Sequence, residues 1–154
     1  MMCAIHGGAG GFYGLLTKAF KYMATDILTA FLTRLESFNW TPALPVMWPG
    51  VKGDPPNTGQ WLEASLFPGE PTNLAWNADS ASEFIGFAQV MVGYRPGTGE
   101  VLPSQIADAI IAHFPKSLEL GGVRISKAPY RSPSFVEDGN KLFIPVTIPY
   151  RGIV

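Results

Sequence analysis

The side chains of this sequence that could act as nucleophiles or bases are few and scattered. The single cysteine, Cys3, and the first of two histidines, His6, lie near the N-terminus, and the second histidine, His113, lies near the end of a predicted helix. A cysteine–histidine pair suits nucleophilic catalysis, because the imidazole accepts the thiol proton. That pair depends on an N-terminal segment unlike the rest of the chain. For His113 we favour a structural role, because a histidine cation at a helix C-terminus interacts favourably with the helix dipole.

The twelve carboxylates show no spacing typical of a catalytic or metal-binding site. The adjacent pair Glu137 and Asp138 precedes Gly139-Asn140, which is typical of a hairpin turn. The chain has no Gly-x-Ser-x-Gly elbow, and no Lys-Ser/Thr follows the glycine-rich stretch 7–11 as in a phosphate-binding loop. The sequence therefore indicates a protein that is not an enzyme and predicts no cofactor and no metal. An active site that is assembled only in space is the alternative.

Composition excludes several classes of protein. The formal net charge of −1 excludes a strongly basic nucleic-acid binder, and we expect no sequence-specific nucleic acid as a partner. One cysteine excludes a disulfide framework. We expect no membrane partner, because no apolar run reaches the roughly 18 residues that cross a bilayer. Only 15% of the 154 residues are charged, so we expect one domain with exposed apolar surface for contacts with other chains.

The first 22 residues differ from the remainder of the chain. Their lysines follow the apolar residues instead of preceding them, unlike in a secretory signal peptide. Met23-Ala24-Thr25-Asp26 reads like a protein start. We therefore predict that 1–22 is an N-terminal extension, either disordered or an artefact of an upstream start, and that 23–154 is the folded domain. A genuine flexible arm is the alternative.

Hydrophobic spacing predicts two helices and four strands, in the order helix, strand, strand, helix, strand, strand. The helices are predicted over 25–38 and 100–114, and the strands over 61–67, 84–94, 123–127 and 141–150. Pro145 and Pro149 have no N–H to donate, which predicts that the last strand lies at a sheet edge. We expect an α+β fold, a single domain with a mainly antiparallel sheet of about four strands and both helices packed on one face.

Tryptophans and charges are unevenly distributed along the chain. All four tryptophans lie between residues 40 and 76, and tryptophan is enriched at binding hot spots. Covering a small core is their alternative role. Residues 52–115 have a formal charge of −5 and residues 116–154 one of +3. Opposite patches suit a head-to-tail contact between copies, unless folding intermixes the two segments in space.

From Met23 onward the chain resembles the phage tail terminator family, the group similar to minor tail protein U. The first matching segments are Met23-Ala24-Thr25-Asp26-Ile27, Leu44-Pro45-Val46-Met47-Trp48-Pro49-Gly50 and Trp61-Leu62-Glu63-Ala64-Ser65-Leu66-Phe67-Pro68 followed by Glu70-Pro71. The later ones are Gly86-Phe87-Ala88-Gln89-Val90, Ile106-Ala107-Asp108-Ala109-Ile110 through His113-Phe114-Pro115, and Ile144-Pro145-Val146-Thr147-Ile148-Pro149-Tyr150-Arg151. Their order and spacing cover nearly the whole chain after residue 22.

The resemblance implies a structural virion protein. Such a protein forms a ring, typically a hexamer, that caps the head-proximal end of the tail tube, ends tube polymerisation and joins the tail to the neck. The implied partners are further copies of the chain, the tail tube protein and a neck or head–tail connector protein. The implied location is the virion, and the host cytoplasm during assembly. A head–tail connector or head-completion protein is one alternative, and a small-molecule-binding α+β module is an alternative of another class.

Residue type and loop placement indicate candidate contact residues for such an assembly. We expect the loops 48–58 and 68–81 to make ring or tube contacts, with Trp48, Phe67 and Trp76 as apolar anchors. Arg95 and Arg151 are candidate polar contacts with an acidic face of a neighbouring protomer.

Overall fold

The computed structural model describes residues 24–77 and 79–153, and the predicted extension 1–22 lies outside the described residues. The described chain contains two helices and nine strands. In chain order they are α1 (Ala24–Glu36), β1 (Val46–Met47), β2 (Trp61–Phe67), β3 (Thr72–Asn73), β4 (Ser82–Tyr94), α2 (Val101–His113), β5 (Glu119–Leu120), β6 (Val123–Ile125), β7 (Tyr130–Arg131), β8 (Phe135–Glu137) and β9 (Lys141–Ile153).

All nine strands belong to one sheet, so the expected sheet of about four strands is wrong, although the fold is α+β. The main strand order is β1-β2-β4-β9-β6-β5, with β3 added to β4, and β7 and β8 added to β9. The sheet is mixed, because β1 pairs with β2 in parallel and the other pairs are antiparallel. Its six principal strands curl into a half-barrel. The five unexpected strands are two or three residues long, too short for hydrophobic periodicity to reveal them.

The last strand, β9, lies in the interior of the sheet, so its predicted edge position is also wrong. It pairs along its length with β4 on one side and with β6, β7 and β8 in succession on the other. Pro149 O accepts from Ser126 N at 3.0 Å and Pro145 O from Ser132 N at 2.9 Å. Because N–H and C=O of a strand residue point to the same side, the two proline nitrogens face β6–β8, where they lie at the breaks between these short strands.

One face of the sheet and both helices form a single hydrophobic core. Alternate residues of β4 and β9 point into it, since successive side chains of a strand face opposite sides. Helix α1 contributes residues at helical spacing, and α2 contributes an apolar stripe. The buried residues at the centre of this core are Ile27, Phe31, Leu35, Ala88, Val90, Val92, Ile106, Ile110, Ile144, Val146 and Ile148.

The turn between β5 and β6 fixes the start of α1 against the sheet. Gly121 has a φ of +58°, and a Cβ at this position would lie 2.6 Å from the backbone oxygen of Asp26. Only glycine tolerates both the left-handed backbone and this close approach. The start of α1 thus rests on the β5–β6 edge, at the opposite end of the main strand order from β1.

Candidate interaction surfaces

The face of the sheet that points away from the helices carries an exposed apolar surface at one end. Phe67 of β2 and Phe87 of β4 are register partners, and their rings stack with centroids 4.8 Å apart. They remain 45% and 37% exposed. Ile85 and Ile153 lie on the same face, where odd-numbered β4 and β9 residues alternate outward, and both are about half exposed. Contiguous exposed apolar surface of this kind is typical of a contact site.

The predicted polar loop 68–81 contains a β-hairpin, formed by β3, a tip and the start of β4. Thr72 pairs with Glu83, and Leu74 N donates to Ala81 O at 2.9 Å. Ser80 Oγ donates to Ala75 O at 2.9 Å within the tip. The tip carries Trp76, whose side chain is fully exposed. These hydrogen bonds hold a projecting tryptophan in water, an arrangement that gains free energy when a partner covers the ring.

At the other end of the same outer face, Trp61 is fully buried beneath Arg95. The Arg95 guanidinium lies 5.1 Å from the indole centroid. Its Nε and one terminal nitrogen donate to Pro56 O at 3.1 and 2.9 Å, and the other donates to Asn140 O at 3.1 Å. Arg95 therefore ties the 48–58 loop and the β8–β9 turn over the tryptophan. Its predicted contact with a neighbouring protomer stays a prediction, since these hydrogen bonds lie within the chain.

The remaining contacts of Trp61 complete this cluster. The indole Nε1 donates to Glu63 Oε1 at 3.1 Å, which satisfies the one polar atom of the ring. Phe143 packs edge-on, with centroids 5.8 Å apart. Gly93 of β4 is the register partner of Trp61, and the indole ring lies directly against the space that a Cβ of residue 93 would occupy.

Trp48, the first residue of the 48–58 loop, lies half-buried beside α1. With Leu32, Thr33, Pro49 and Val51 it lines an open groove of about 370 Å³. Trp40 and Trp48 also line a neighbouring cavity of about 160 Å³, so the small-molecule-binding alternative has two candidate sites here. The role of Trp48 as an apolar anchor stays a prediction.

Arg151 lies on the outer face, where it forms an ion pair with Glu83. The arginine side chain is 58% exposed and the glutamate side chain 14%. Arg131 and Asp108 form a second ion pair, with 3.7 Å between Nε and Oδ1. Both pairs join the acidic segment 52–115 to the basic segment 116–154. Arg151 thus has an acidic partner within its own chain, and its predicted contact with a neighbour stays a prediction.

The histidine within the described residues, His113, is held in structural contacts. His113 Nε2 lies 2.7 Å from Arg34 O and 3.0 Å from Ser37 Oγ, and Cys3 and His6 lie outside the described residues. Burial raises the pKa of the Tyr150 phenol above its ordinary value. Across residues 24–77 and 79–153, no group of three His, Cys, Asp or Glu side chains could hold a metal ion. No helix in the same ranges combines the length and apolarity needed to cross a membrane.

Comparison with known proteins agrees with this architecture. A family model described as "Phage tail terminator protein" matches residues 26–150, whereas no curated protein matches the chain. Four solved chains match. One of them has a TM-score of 0.66 and 29% sequence identity, over 84% of this chain and 95% of that chain.

The family match begins in the first turn of α1 and ends near the end of β9. It therefore includes nearly all of the sheet, both helices and the hairpin that carries Trp76. The family resemblance predicted from the sequence is confirmed. Since the match covers most of its length, this chain belongs to the phage tail terminator family and has a structural role in the phage tail.

Proposed function

We propose that the protein forms a ring that caps the head-proximal end of the phage tail tube. There the ring ends tube polymerisation and joins the tail to the neck. The observation that carries this proposal is the family match over residues 26–150. The partners in this proposal are further copies of the chain, the tail tube protein and a neck or connector protein, and the location is the virion.

The exposed apolar surface supports an assembling protein over an isolated one. Phe67, Phe87 and Ile85 stay exposed on the outer face, and Trp76 projects from the hairpin. An aromatic side chain buries about 150–250 Å². At about 25 cal/mol per Å², covering Trp76 alone contributes about 4–6 kcal/mol before the costs of association. We include Trp48, Phe67, Trp76, Arg95 and Arg151 among the candidate contact residues of the ring.

The first test is the oligomeric state of the full chain, with the chain that begins at Met23 as a comparison. We expect native mass spectrometry and negative-stain imaging to reveal rings, of six subunits by family resemblance, alone or on purified tail tubes. A full chain that stays monomeric at high micromolar concentration, both alone and with tubes, would contradict the proposal.

The second test separates a tail terminator from a head–tail connector of the neck. Tail tube protein is polymerised in the presence and absence of the chain, and tube lengths and tube ends are imaged. A terminator is expected to occupy one end only and to stop growth there. Unchanged tube growth, together with binding to isolated connectors, would support the neck protein instead.

A further inference from the structure

We propose that adjacent copies of this chain meet head to tail through two opposite edges of the sheet. The β3–β4 hairpin (residues 72–83), with the preceding Glu70, contacts the basic edge (Lys116, Arg124 and Lys127) of the next copy. This inference rests on the proposed function, because it names the lateral contact of the ring.

The hairpin edge is acidic and apolar. Residues 68–83 contain Glu70, Asp79 and Glu83 and neither lysine nor arginine. Glu83 pairs with Arg151 of its own chain. Glu70 and Asp79 are exposed and have no ion-pair partner in the described part of the chain. Next to them the tip presents Trp76, so this edge combines two uncompensated negative charges with a large apolar side chain.

The basic edge is formed by the loop after α2 together with β5 and β6. Ser117 N donates to Ile125 O at 2.9 Å and Ile125 N donates to Leu118 O at 3.0 Å. These bonds bring the segment of Lys116 beside that of Lys127. Both lysines and Arg124 are exposed, with Glu119 as the acidic residue across from Arg124. Three cations and Glu119 give this edge a net charge of +2 (3 − 1), and Asp26 of α1, whose backbone approaches Gly121, is the adjoining acidic residue.

Apolar and aromatic groups accompany the charges of the basic edge. Leu118 is half-buried there, and Tyr130 is 47% exposed with Lys127 Nζ 5.5 Å from its ring centroid. Trp76 of a neighbouring copy could contact both the lysine side chain and this apolar surface. The contact with the lysine would be favourable, because cations bind over the face of an indole ring. The two edges thus carry opposite charges, and each also exposes apolar or aromatic side chains that the other could cover.

The topology places the two edges on opposite sides of the molecule. At this end of the sheet the strands follow in the order β3-β4-β9-β6-β5, through the register pairs Thr72–Glu83, Glu83–Ile153, Arg124–Arg151 and Glu119–Arg124. Four strand spacings separate β3 from β5, roughly 19 Å. One copy cannot bring its own two edges together, so the contact joins two copies. A head-to-tail contact of this kind closes into a ring when its rotation permits.

The distribution of charge along the sheet explains why the edges differ. The acidic segment 52–115 supplies β2, β3 and β4, and the basic segment 116–154 supplies β5 to β9. The main strand order keeps these two groups on separate sides, with β4 and β9 as their boundary. Folding therefore does not intermix the two segments within the sheet. Where β4 meets β9, Glu83 and Arg151 form an ion pair that neutralises both charges. The unpaired negative charges therefore lie at the hairpin edge and the positive charges at the basic edge.

Charge reversal tests the contact. One variant carries Glu70→Lys with Asp79→Lys, and a second carries Lys116→Glu with Lys127→Glu. Each presents edges of like charge and is expected to remain monomeric, because like charges oppose the contact. In an equimolar mixture every contact regains opposite charges, so rings with alternating subunits are expected. A Glu137→Lys with Lys141→Glu exchange, in the hairpin of β8 and β9, is the matched control and should assemble like the natural chain.

Ring formation is measured by native mass spectrometry and sedimentation velocity, and folding by circular dichroism. Folded single variants that assemble as well as the natural chain overturn the inference, as does a mixture that fails to recover. The natural chain on tail tubes reads out the proposed function separately. If the natural chain caps tubes but the charge-reversal variants assemble normally, only the edge contact is refuted. If the natural chain does not cap tubes but the mixture of variants recovers ring formation, only the capping role is refuted.

Discussion

Arg34 and His113 each hydrogen-bond the backbone carbonyl of the other. Arg34 donates to His113 O from Nε at 3.0 Å and from a terminal nitrogen at 2.8 Å. His113 Nε2 lies 2.7 Å from Arg34 O. Both carbonyls belong to the last turns of α1 and α2, where helices leave carbonyls without intrahelical partners. The two side chains thus complete and join the C-terminal ends of the two helices.

Removing either side chain of this reciprocal pair is expected to destabilise the fold. Arg34→Ala and His113→Ala should each lower the free energy of unfolding by about 1–3 kcal/mol, because each leaves a part-buried carbonyl with fewer donors. The double variant should cost less than the sum of the two, because the pair acts as one unit. Urea denaturation measures all three, with Arg124→Ala as an exposed control. Strict additivity would contradict a coupled pair.

Gly93→Ala is expected to destabilise the outer-face cluster. A Cβ at this position would overlap the indole of Trp61, which is fully buried. Overpacking of this kind costs about 1–3 kcal/mol, and we expect a lower melting temperature and altered tryptophan fluorescence. Gly53→Ala is the matched control, because its Cβ would come no closer than 3.6 Å to Met47 Sδ. Equal effects of the two substitutions would refute the close Gly93–Trp61 contact.

Tyr150 is expected to make the fold sensitive to alkaline pH. Burial raises the pKa of its phenol in the folded state, so the folded chain binds this proton more tightly than the unfolded chain. Its stabilising contribution is therefore complete below about pH 10 and declines as the pH rises toward the folded pKa. Urea unfolding from pH 8 to 11 should show a steeper loss for the natural chain than for Tyr150→Phe. Tyr130→Phe, at an exposed residue, is the control for the substitution itself. Parallel curves for all three would contradict the effect of burial.

Trp76→Ala is expected to separate folding from assembly. The side chain is fully exposed, so its removal should change the free energy of unfolding by no more than about 0.5 kcal/mol. Ring formation or tube capping should weaken at least tenfold, as loss of a hot-spot residue does. Sedimentation velocity measures the association. Val136→Ala, on the exposed strand β8, is the control. A Trp76→Ala chain that assembles normally would remove this residue from the contact surface.

The long elements were predictable because their hydrophobic patterns are long. Strand β2 has the predicted bounds, and α2 differs from the prediction by one residue at each end. Family membership followed from the order of such segments and is confirmed. The nine-stranded sheet was not predictable, because its five additional strands are only two or three residues long. Strand β3, for example, consists of Thr72 and Asn73, and its polar residues read as part of a loop.

The candidate contact residues were only partly interpretable from sequence. Trp76 was selected from a loop, and the structure places it fully exposed on a hairpin. Arg95 was selected from its type, yet its hydrogen-bond partners belong to residues 56 and 140. Those residues are 39 and 45 positions away in the chain, and no local pattern indicates that they meet. The burial of Trp61 beneath Arg95 could not be predicted either, because these two residues are also far apart in the sequence.

Pro145 and Pro149 have a consequence for how the sheet opens. Their missing N–H groups divide the hydrogen bonds on one side of β9 into three short sets, with β6, β7 and β8. On its other side, twelve consecutive register pairs join β9 to β4. The β4–β9 pair should therefore exchange its amide hydrogens slowly as one cooperative unit, whereas the exposed strands β7 and β8 should exchange faster. On the proline side of β9 we therefore expect opening to begin at β7 and β8, while Val123 and Ile125 hold β6 in the core.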